Sequence, residues 1–281
     1  MRCLDKPVPV AALLCFVVWF VAGCGLGSDF NTPDRLENGL VIILPGIEGK
    51  SGLNRDIRDG LAAAGIDQAI QIRSWGVIPL LKQMDFIGNR LAGAIIAQEI
   101  VAYQDKHPGR PVYVLGHSGG GGIAVFVAEG MPKGRQVDGL ILLSASISSA
   151  HNLTKALKHC KNGIANFYNR NDAALLGVVT ILFGNVCGTH GPAAGLIGFD
   201  KPGEKASDEK KLAYAKLYPV ALTDDMTLGD SGAHVSTTRP DFVSIYVAPW
   251  VLSQQWPAMD WLATLTHGTA ETNEQESQPP P

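Results

Sequence analysis

A serine occupies the third position of a Gly-x-Ser-x-Gly pattern at residues 116–120. The strand-forming run Val112–Leu115 precedes it, and the helix-like run Ile123–Glu129 follows it. A serine between a strand and a helix is held in a tight, strained turn that exposes its hydroxyl above the edge of a sheet. The pattern therefore predicts Ser118 as a nucleophile, and the alternative is an ordinary glycine-rich turn that binds nothing.

A serine hydroxyl is a weak nucleophile at neutral pH, so it needs a base, and the base needs an orienting partner. Among the seven histidines we favour His234 as the base, because it lies in a loop of small residues late in the chain. The alternative base is His190, which lies in Gly-Thr-His-Gly.

For the carboxylate we favour Asp172, which follows a predicted strand and would stand at the same sheet edge as the serine. Asp172 could instead only cap a turn, a common role in segments rich in Asn and Asp. Three other carboxylates lie nearer to His234 in the sequence and remain alternatives: Asp224, Asp225 and Asp230.

The elements that must position these residues alternate along the chain. Predicted strands are Gly39–Leu44, Ala69–Trp75, Val112–Leu115, Val137–Ser144, Ile164–Tyr168 and a β-branched run at Asp241–Ala248. Predicted helices are Asn54–Gly65, Phe86–Lys106, Ile123–Glu129, Asn152–His159 and the charged segment Lys201–Lys216. Continuous apolar strands alternating with helices indicate an α/β fold, with a mostly parallel central sheet and helices on both faces.

Composition limits the classes of function. The chain has 281 residues, of which 46% are hydrophobic and 17% charged, and its formal charge is −3. These values are typical of one large globular domain, and they offer no electrostatic basis for binding nucleic acid.

The N-terminus has the character of a targeting segment. Arg2 and Lys6 precede an apolar run over Val8–Ala22, which ends in Val21-Ala22-Gly23-Cys24. That ending resembles a bacterial lipobox, and the resemblance implies cleavage before Cys24 and a lipid on its thiol. The alternatives are a plain signal peptide and a retained membrane anchor.

We therefore expect a signal peptide over 1–23, a polar tether over 24–36, the catalytic domain over 37–258 and a disordered tail over 259–281. Of the five cysteines, Cys160 and Cys187 remain in the exported domain. Export permits a disulfide between them, and two separate buried thiols are the alternative.

Four motifs between Leu40 and Trp250 resemble α/β-hydrolases of the serine esterase and lipase type. They are Leu-Pro-Gly-Ile-Glu-Gly, Gly-His-Ser-Gly-Gly-Gly-Gly, Asn-Phe-Tyr-Asn-Arg-Asn-Asp and Gly-Ala-His. The resemblance implies the triad order Ser118, Asp172, His234, with an oxyanion held by the N–H groups of Ile47 and Gly119. Pro45 replaces the histidine usual in that family's first turn, which matters little because backbone atoms bind the oxyanion.

The sequence thus predicts a serine hydrolase of carboxylic esters that needs no cofactor and no metal. Its expected partners are a small-molecule or lipid ester and a membrane, reached through the lipid on Cys24 in the cell envelope. Residues 173–199 would form an acyl pocket, a lid or a core segment. Functional alternatives are an acyltransferase or thioesterase on the same fold, a binding lipoprotein without turnover, and a structural lipoprotein.

Overall fold

The computed structural model describes residues 30–75, 85–170, 186–188, 191–228, 234–253 and 255–256. The predicted signal peptide, Cys24, Asp172, His190, Asp230 and the tail lie outside these ranges. Within the described ranges, no helix combines the length and the apolar character needed to cross a membrane.

Six parallel strands form one sheet in the order β2-β1-β3-β4-β5-β6. They are β1 Leu40–Leu44, β2 Ala69–Ile72, β3 Val112–His117, β4 Val137–Leu143, β5 Cys160–Tyr168 and β6 Leu217–Ala221. The chain goes from β1 outward to β2 and then crosses to the other side of β1 to form β3. The carboxyl ends of β1 and β3 therefore border the crevice where strand order reverses, which is where open α/β sheets bind ligands.

Helices cover both faces of the sheet. They are α1 Pro33–Asn38, α2 Gly52–Ala63, α3 Phe86–Lys106, α4 Gly119–Gly130, α5 Thr154–Lys158, α6 Ala194–Ile197, α7 Asp208–Tyr214, α8 Pro240–Phe242 and α9 Ala248–Leu252. A π turn, Val243–Val247, joins the last two, and 3-10 turns lie at Asp225–Thr227 and Ser236–Thr238. The apolar sides of α3, α4, α5 and α7 pack on one face, and those of α2, α8 and α9 on the other. The predicted α/β architecture is confirmed.

Strand β1 shows why its sequence is apolar at every position. Leu40, Ile42 and Leu44 belong to the core on one face, while Val41 and Ile43 belong to the core on the opposite face. A parallel strand covered on both sides has no solvent-facing residues, so its sequence does not alternate.

The strand predicted over Asp241–Ala248 is wrong, because this segment is helical, and β6 is the last strand within the described ranges. Pro240 occupies the first turn of α8, where its missing N–H costs no hydrogen bond. The buried positions recur at helical rather than alternating spacing: Phe242, Val243, Val247, Ala248, Trp250 and Val251. Packing against the sheet outweighs the strand preference of the β-branched residues.

The domain begins earlier than predicted, since residues 30–36 are part of it rather than tether. The N–H of Ile70 in β2 donates to the carbonyl of Phe30 at 2.7 Å. Arg35 in α1 donates through Nη1 to the carbonyls of Ile66 and Gln68, at 3.1 and 3.0 Å. These long-range bonds fix the segment against the sheet, so any tether ends before residue 30.

Cys160 and Cys187 are not joined by a disulfide, so the alternative of two separate thiols holds. Cys160 begins β5, where it is fully buried beside Val137 of β4. Cys187 is only partly buried and makes a hydrogen bond with His151. The two thiols have different neighbours, a difference that the number of cysteines alone could not decide.

Candidate active site

Ser118 occupies the turn between β3 and α4 with φ 53° and ψ −122°. A positive φ is strained for a residue with a side chain, and such strain persists only where the surroundings enforce it. Here the Ser118 N–H donates to the carbonyl of Leu143 at 3.0 Å, and its carbonyl accepts from Ser146 N at 2.8 Å. The serine therefore sits on a rigid turn and remains partly exposed.

Glycines allow the chain to approach this turn closely. A Cβ on Gly116 would lie 2.3 Å from the carbonyl oxygen of Gly120, and a Cβ on Gly120 would lie 2.1 Å from that of Leu44. Contacts this short with backbone atoms cannot be relieved by a rotamer change. The glycines of the motif are thus required by the packing of β3, α4 and the loop after β1.

His234 lies at the same sheet edge. Its ring packs against that of His117, the last residue of β3, with centroids 5.0 Å apart, and its carbonyl accepts a hydrogen bond from His117 Nε2 at 3.4 Å. Farther along the same loop, Thr237 and Ser144 make a hydroxyl–hydroxyl hydrogen bond of 3.4 Å at the end of β4. These contacts anchor the loop that carries the predicted base beside the strand that carries Ser118.

His117 has a role that the sequence did not indicate, although it directly precedes the nucleophile. Burial, together with the nearby charge that His234 would carry, lowers the pKa of the His117 ring to about 3. His117 is therefore neutral at pH 7, and its Nε2 hydrogen is the donor to the His234 carbonyl. His117 thus holds the backbone of His234, the predicted base, at the end of β3.

The loop after β1 brings the two predicted oxyanion residues together. A Cβ on Gly46 would stand 3.2 Å from Ser118 Cβ, and one on Gly119 would stand 3.3 Å from Ile47 Cγ2 and 3.2 Å from the Trp75 ring. Ile47 and Gly119 are thus neighbours at the turn. That their N–H groups form an oxyanion hole remains a prediction.

Two further residues shape this loop and were not singled out from the sequence. Trp75, just beyond β2, donates from Nε1 to the Pro45 carbonyl at 2.6 Å. Asn54, fully buried in α2, donates from Nδ2 to Ser51 Oγ at 2.8 Å and to the Gly49 carbonyl at 3.1 Å. The sequence could have singled out Asn54, because it is a polar residue on the apolar side of a predicted helix.

The acid of the triad is not decided by the described residues. Asp172 lies outside them, four positions after the end of β5 at Tyr168. Asp224 and Asp225 lie in an exposed turn after β6. The assignment of Asp172 therefore stays a prediction.

Comparison with known proteins gives one match to a family model. Residues 96–193 match the family described as serine aminopeptidase, S33, and this stretch includes β3, the serine turn, β4 and β5. No curated protein sequence matches significantly.

Solved structures give weaker likenesses. Lipase B of Aspergillus fumigatus is 14% identical over 87% of this chain, with a TM-score of 0.44, and the chain spans 58% of the lipase's length. A CIB-like hydrolase of Thermoplasma acidophilum is 13% identical over 80% of this chain and 88% of its own, with a TM-score of 0.40. An acetyl ester-xyloside bifunctional hydrolase of Caldicellulosiruptor lactoaceticus is 14% identical over 86% of both chains, with a TM-score of 0.36.

The fold class follows from the chain's own strand order and serine turn. A parallel sheet with a strained serine at the strand–helix junction of its central β3, facing the crevice where strand order reverses, is the arrangement of the α/β-hydrolase fold. The chain has this fold, and its residues 96–193 resemble the serine aminopeptidase family.

Adding one methyl group at Gly120 should destabilise the fold, because the new Cβ would collide with the Leu44 carbonyl. We expect Gly120→Ala to lower the free energy of unfolding by about 1–3 kcal/mol, the usual cost of overpacking. The matched control is Gly203→Ala, since Gly203 has no atom near its Cβ position and should change stability by less than about 0.5 kcal/mol. Urea unfolding measures both, and equal midpoints would contradict the packing described here.

The neutral His117 should make the fold acid-sensitive. The folded pKa of about 3 lies below the unfolded value of 6.5, so only the unfolded state binds this proton between those limits. The contribution of the neutral ring to the free energy of unfolding is fully present above pH 6.5. It falls by about 1.4 kcal/mol per pH unit as the pH decreases toward 3. Urea unfolding from pH 6.5 to 4.5 should show a shallower loss in His117→Gln than in the wild type; parallel slopes would count against a buried neutral ring.

Proposed function

We propose that this α/β-hydrolase cleaves carboxylic esters through an acyl-enzyme formed on Ser118. The observation that carries the proposal is the positive φ of Ser118 at the β3–α4 junction. Strain of this kind is retained where it orients a functional group. Ser144, which follows β4, also has a positive φ of 47°, but only Ser118 combines that conformation with the Gly-x-Ser-x-Gly junction of a strand and a helix.

The reaction uses groups that lie at one sheet edge or are predicted there. Ser118 Oγ attacks the acyl carbon while His234 takes the hydroxyl proton and then delivers it to the departing alcohol. The N–H groups of Ile47 and Gly119 hold the negative charge that develops on the carbonyl oxygen. Water, deprotonated by His234, then attacks the acyl-enzyme, releases the acid and regenerates Ser118. Asp172 orients the imidazole throughout.

A neutral His117 suits this mechanism electrostatically. Proton transfer from Ser118 leaves a positive charge on His234, whose ring centroid lies 5.0 Å from that of His117. A second positive charge at that distance would oppose the transfer. Because burial keeps the pKa of His117 near 3, that repulsion does not arise at neutral pH.

We also propose that the enzyme works close to a membrane surface, attached by a lipid on Cys24. Because Phe30 is already bonded to β2, at most residues 25–29 would separate the domain from the lipidated cysteine. Five residues span at most about 18 Å when extended. Such a short tether favours ester substrates that lie in the membrane or near it.

Fluorophosphonate labelling of the full chain tests the nucleophile. We expect the wild type to be labelled and Ser118→Ala to lose all labelling. The labelling rate of His234→Ala should fall by at least about a thousandfold, since the unassisted hydroxyl is unreactive. The control is His159→Ala, because His159 Nδ1 bonds the Arg135 carbonyl away from this edge. Hydrolysis of p-nitrophenyl esters should follow the same order.

Unlabelled but folded wild-type protein would contradict the proposal and favour a binding protein. Labelling with no ester hydrolysis, but with transfer of the acyl group to an added alcohol or release from a thioester, would replace esterase by acyltransferase or thioesterase. The acyl-enzyme is common to all three reactions, so only the acceptor and the leaving group distinguish them.

Three substitutions identify the acid. We expect Asp172→Asn to lower kcat for ester hydrolysis by about 10⁴, because an amide stabilises the wrong imidazole tautomer. Asp224→Asn and Asp225→Asn, in the exposed turn, should keep kcat within about twofold. A loss confined to one of the latter would move the acid to the turn after β6, as in the alternative considered from the sequence.

A further inference from the structure

The side chain of Glu48, in the Leu-Pro-Gly-Ile-Glu-Gly motif after β1, has no part in the mechanism above, yet it lies beside the nucleophile. A Cβ on Gly46 would stand 2.2 Å from Glu48 Oε2 and 3.2 Å from Ser118 Cβ. Those two atoms can therefore be no farther apart than the sum of these distances. Bonds of about 1.5 Å place a substrate's acyl carbon on Ser118 Oγ, and the atoms one or two bonds beyond it, within a similar distance of Ser118 Cβ.

One oxygen of the carboxylate is fixed by neutral donors. The Gly46 N–H donates to Glu48 Oε1 at 3.2 Å, and Nδ2 of the buried Asn54 donates to the same oxygen at 3.4 Å. Asn54 is itself fixed by its bonds to Ser51 and to the Gly49 carbonyl. These bonds orient the carboxylate, but they leave its negative charge uncompensated.

The other oxygen, Oε2, has no hydrogen-bond partner among the residues that the structure describes. Within the same residues, no lysine, arginine or histidine forms an ion pair with Glu48, although Lys50 and Arg55 are near in the sequence. Glu48 is exposed, so Oε2 is open to a ligand. Its position beside Ser118, rather than its exposure, indicates which ligand that is.

The charge of Glu48 acts on the step that Ser118 performs. Attack on an ester places a negative charge on the carbonyl oxygen, and a carboxylate in the same small volume repels that charge. With a neutral ester this repulsion raises the barrier. A positive charge beside the carbonyl group offsets the repulsion and is attracted to Oε2. Because the oxyanion exists only after attack, the benefit is larger in the transition state than in the free substrate.

We propose that Glu48 is a specificity-determining residue that selects substrates with an ammonium group one or two bonds from the scissile ester. The ammonium can belong to the acyl part, as in an amino-acid ester, or to the alcohol part, as in a choline ester. This inference rests on the proposed Ser118 nucleophile. It does not depend on which acceptor finally takes the acyl group.

The alcohol side is tested with two phosphorothiolates of the same shape. One has a 2-(trimethylammonio)ethyl thiolate as leaving group and the other its uncharged 3,3-dimethylbutyl analogue. Ser118 Oγ attacks phosphorus and the thiolate departs, so intact-protein mass spectrometry of the full chain gives the rate without turnover. Each rate is divided by the reagent's rate with hydroxide. Selection on this side should favour the cation about tenfold in dilute buffer.

The acyl side is tested with the phenyl esters of trimethylglycine and of 3,3-dimethylbutanoate, which also differ only in charge. Release of phenol gives kcat/KM, again divided by the rate with hydroxide. A preference for the cation of about tenfold in either pair supports the proposal and identifies the side. It should shrink to about twofold in 1 M salt, which screens charges beyond about 3 Å. Equal corrected rates in both pairs would overturn the proposal.

Two variants separate the charge of Glu48 from a structural role. Glu48→Gln keeps an oxygen that accepts from Gly46 but removes the charge, so the cation-to-neutral ratio should fall about tenfold. The matched control is Asp67→Asn, which removes the same charge at the amino ends of the strands, where Asp67 accepts from Asn38. Its ratio should stay within about twofold of the wild type.

A merely structural Glu48 would change both members of a pair alike and leave their ratio unaltered. An unaltered ratio in folded Glu48→Gln, or an equal loss in Asp67→Asn, would therefore overturn the proposal. If Glu48→Gln does not fold, the salt dependence of the wild-type ratio decides.

The two proposals fail in different ways. Wild-type protein that no fluorophosphonate labels would overturn the Ser118 mechanism, and the role of Glu48 with it. Wild-type protein that is labelled, but that reacts equally with both members of both pairs, would overturn only the role of Glu48.

Discussion

The strained backbone of Ser118 is the constraint on which this site depends. An L-residue adopts that positive φ only when its neighbours leave no alternative, and here two backbone hydrogen bonds, to Leu143 and from Ser146, enforce it. Strand β4 supplies one and the loop beyond it supplies the other, so the serine turn needs the central sheet to be complete. Gly116 and Gly120 let the flanking strand and helix come close enough for this geometry.

The edge of the sheet explains how distant residues reach the serine. The carboxyl ends of β1, β3 and β4 are neighbours in a parallel sheet, so the loops that leave them meet at the start of α4. The loop after β1 brings Ile47 to Gly119, and the ends of β3 and β4 contact the segment that carries His234 and Thr237. The site is therefore assembled from segments nearly 190 residues apart in the chain.

Helix α4 holds the serine turn at its start and Glu129 in its last turn. Its first residue, Gly119, lies against Ile47 and Trp75, and Glu129 contacts the ring of His151. Every residue from Gly119 to Glu129 is buried, so the packing of the core fixes the helix beneath the serine turn.

The sequence by itself determined the alternation of strands and helices and the serine turn, because apolar runs, helical spacing and glycine positions are local signals. It did not determine the helix over 240–252, where packing on the sheet outweighs β-branched propensity, or the attachment of residues 30–36, which rests on hydrogen bonds to β2 and to residues just before it. It also missed the contact between His117 and His234 and could not decide whether Cys160 and Cys187 are bonded. Such contacts join residues far apart in the chain, and only the tertiary structure decides which side chains meet.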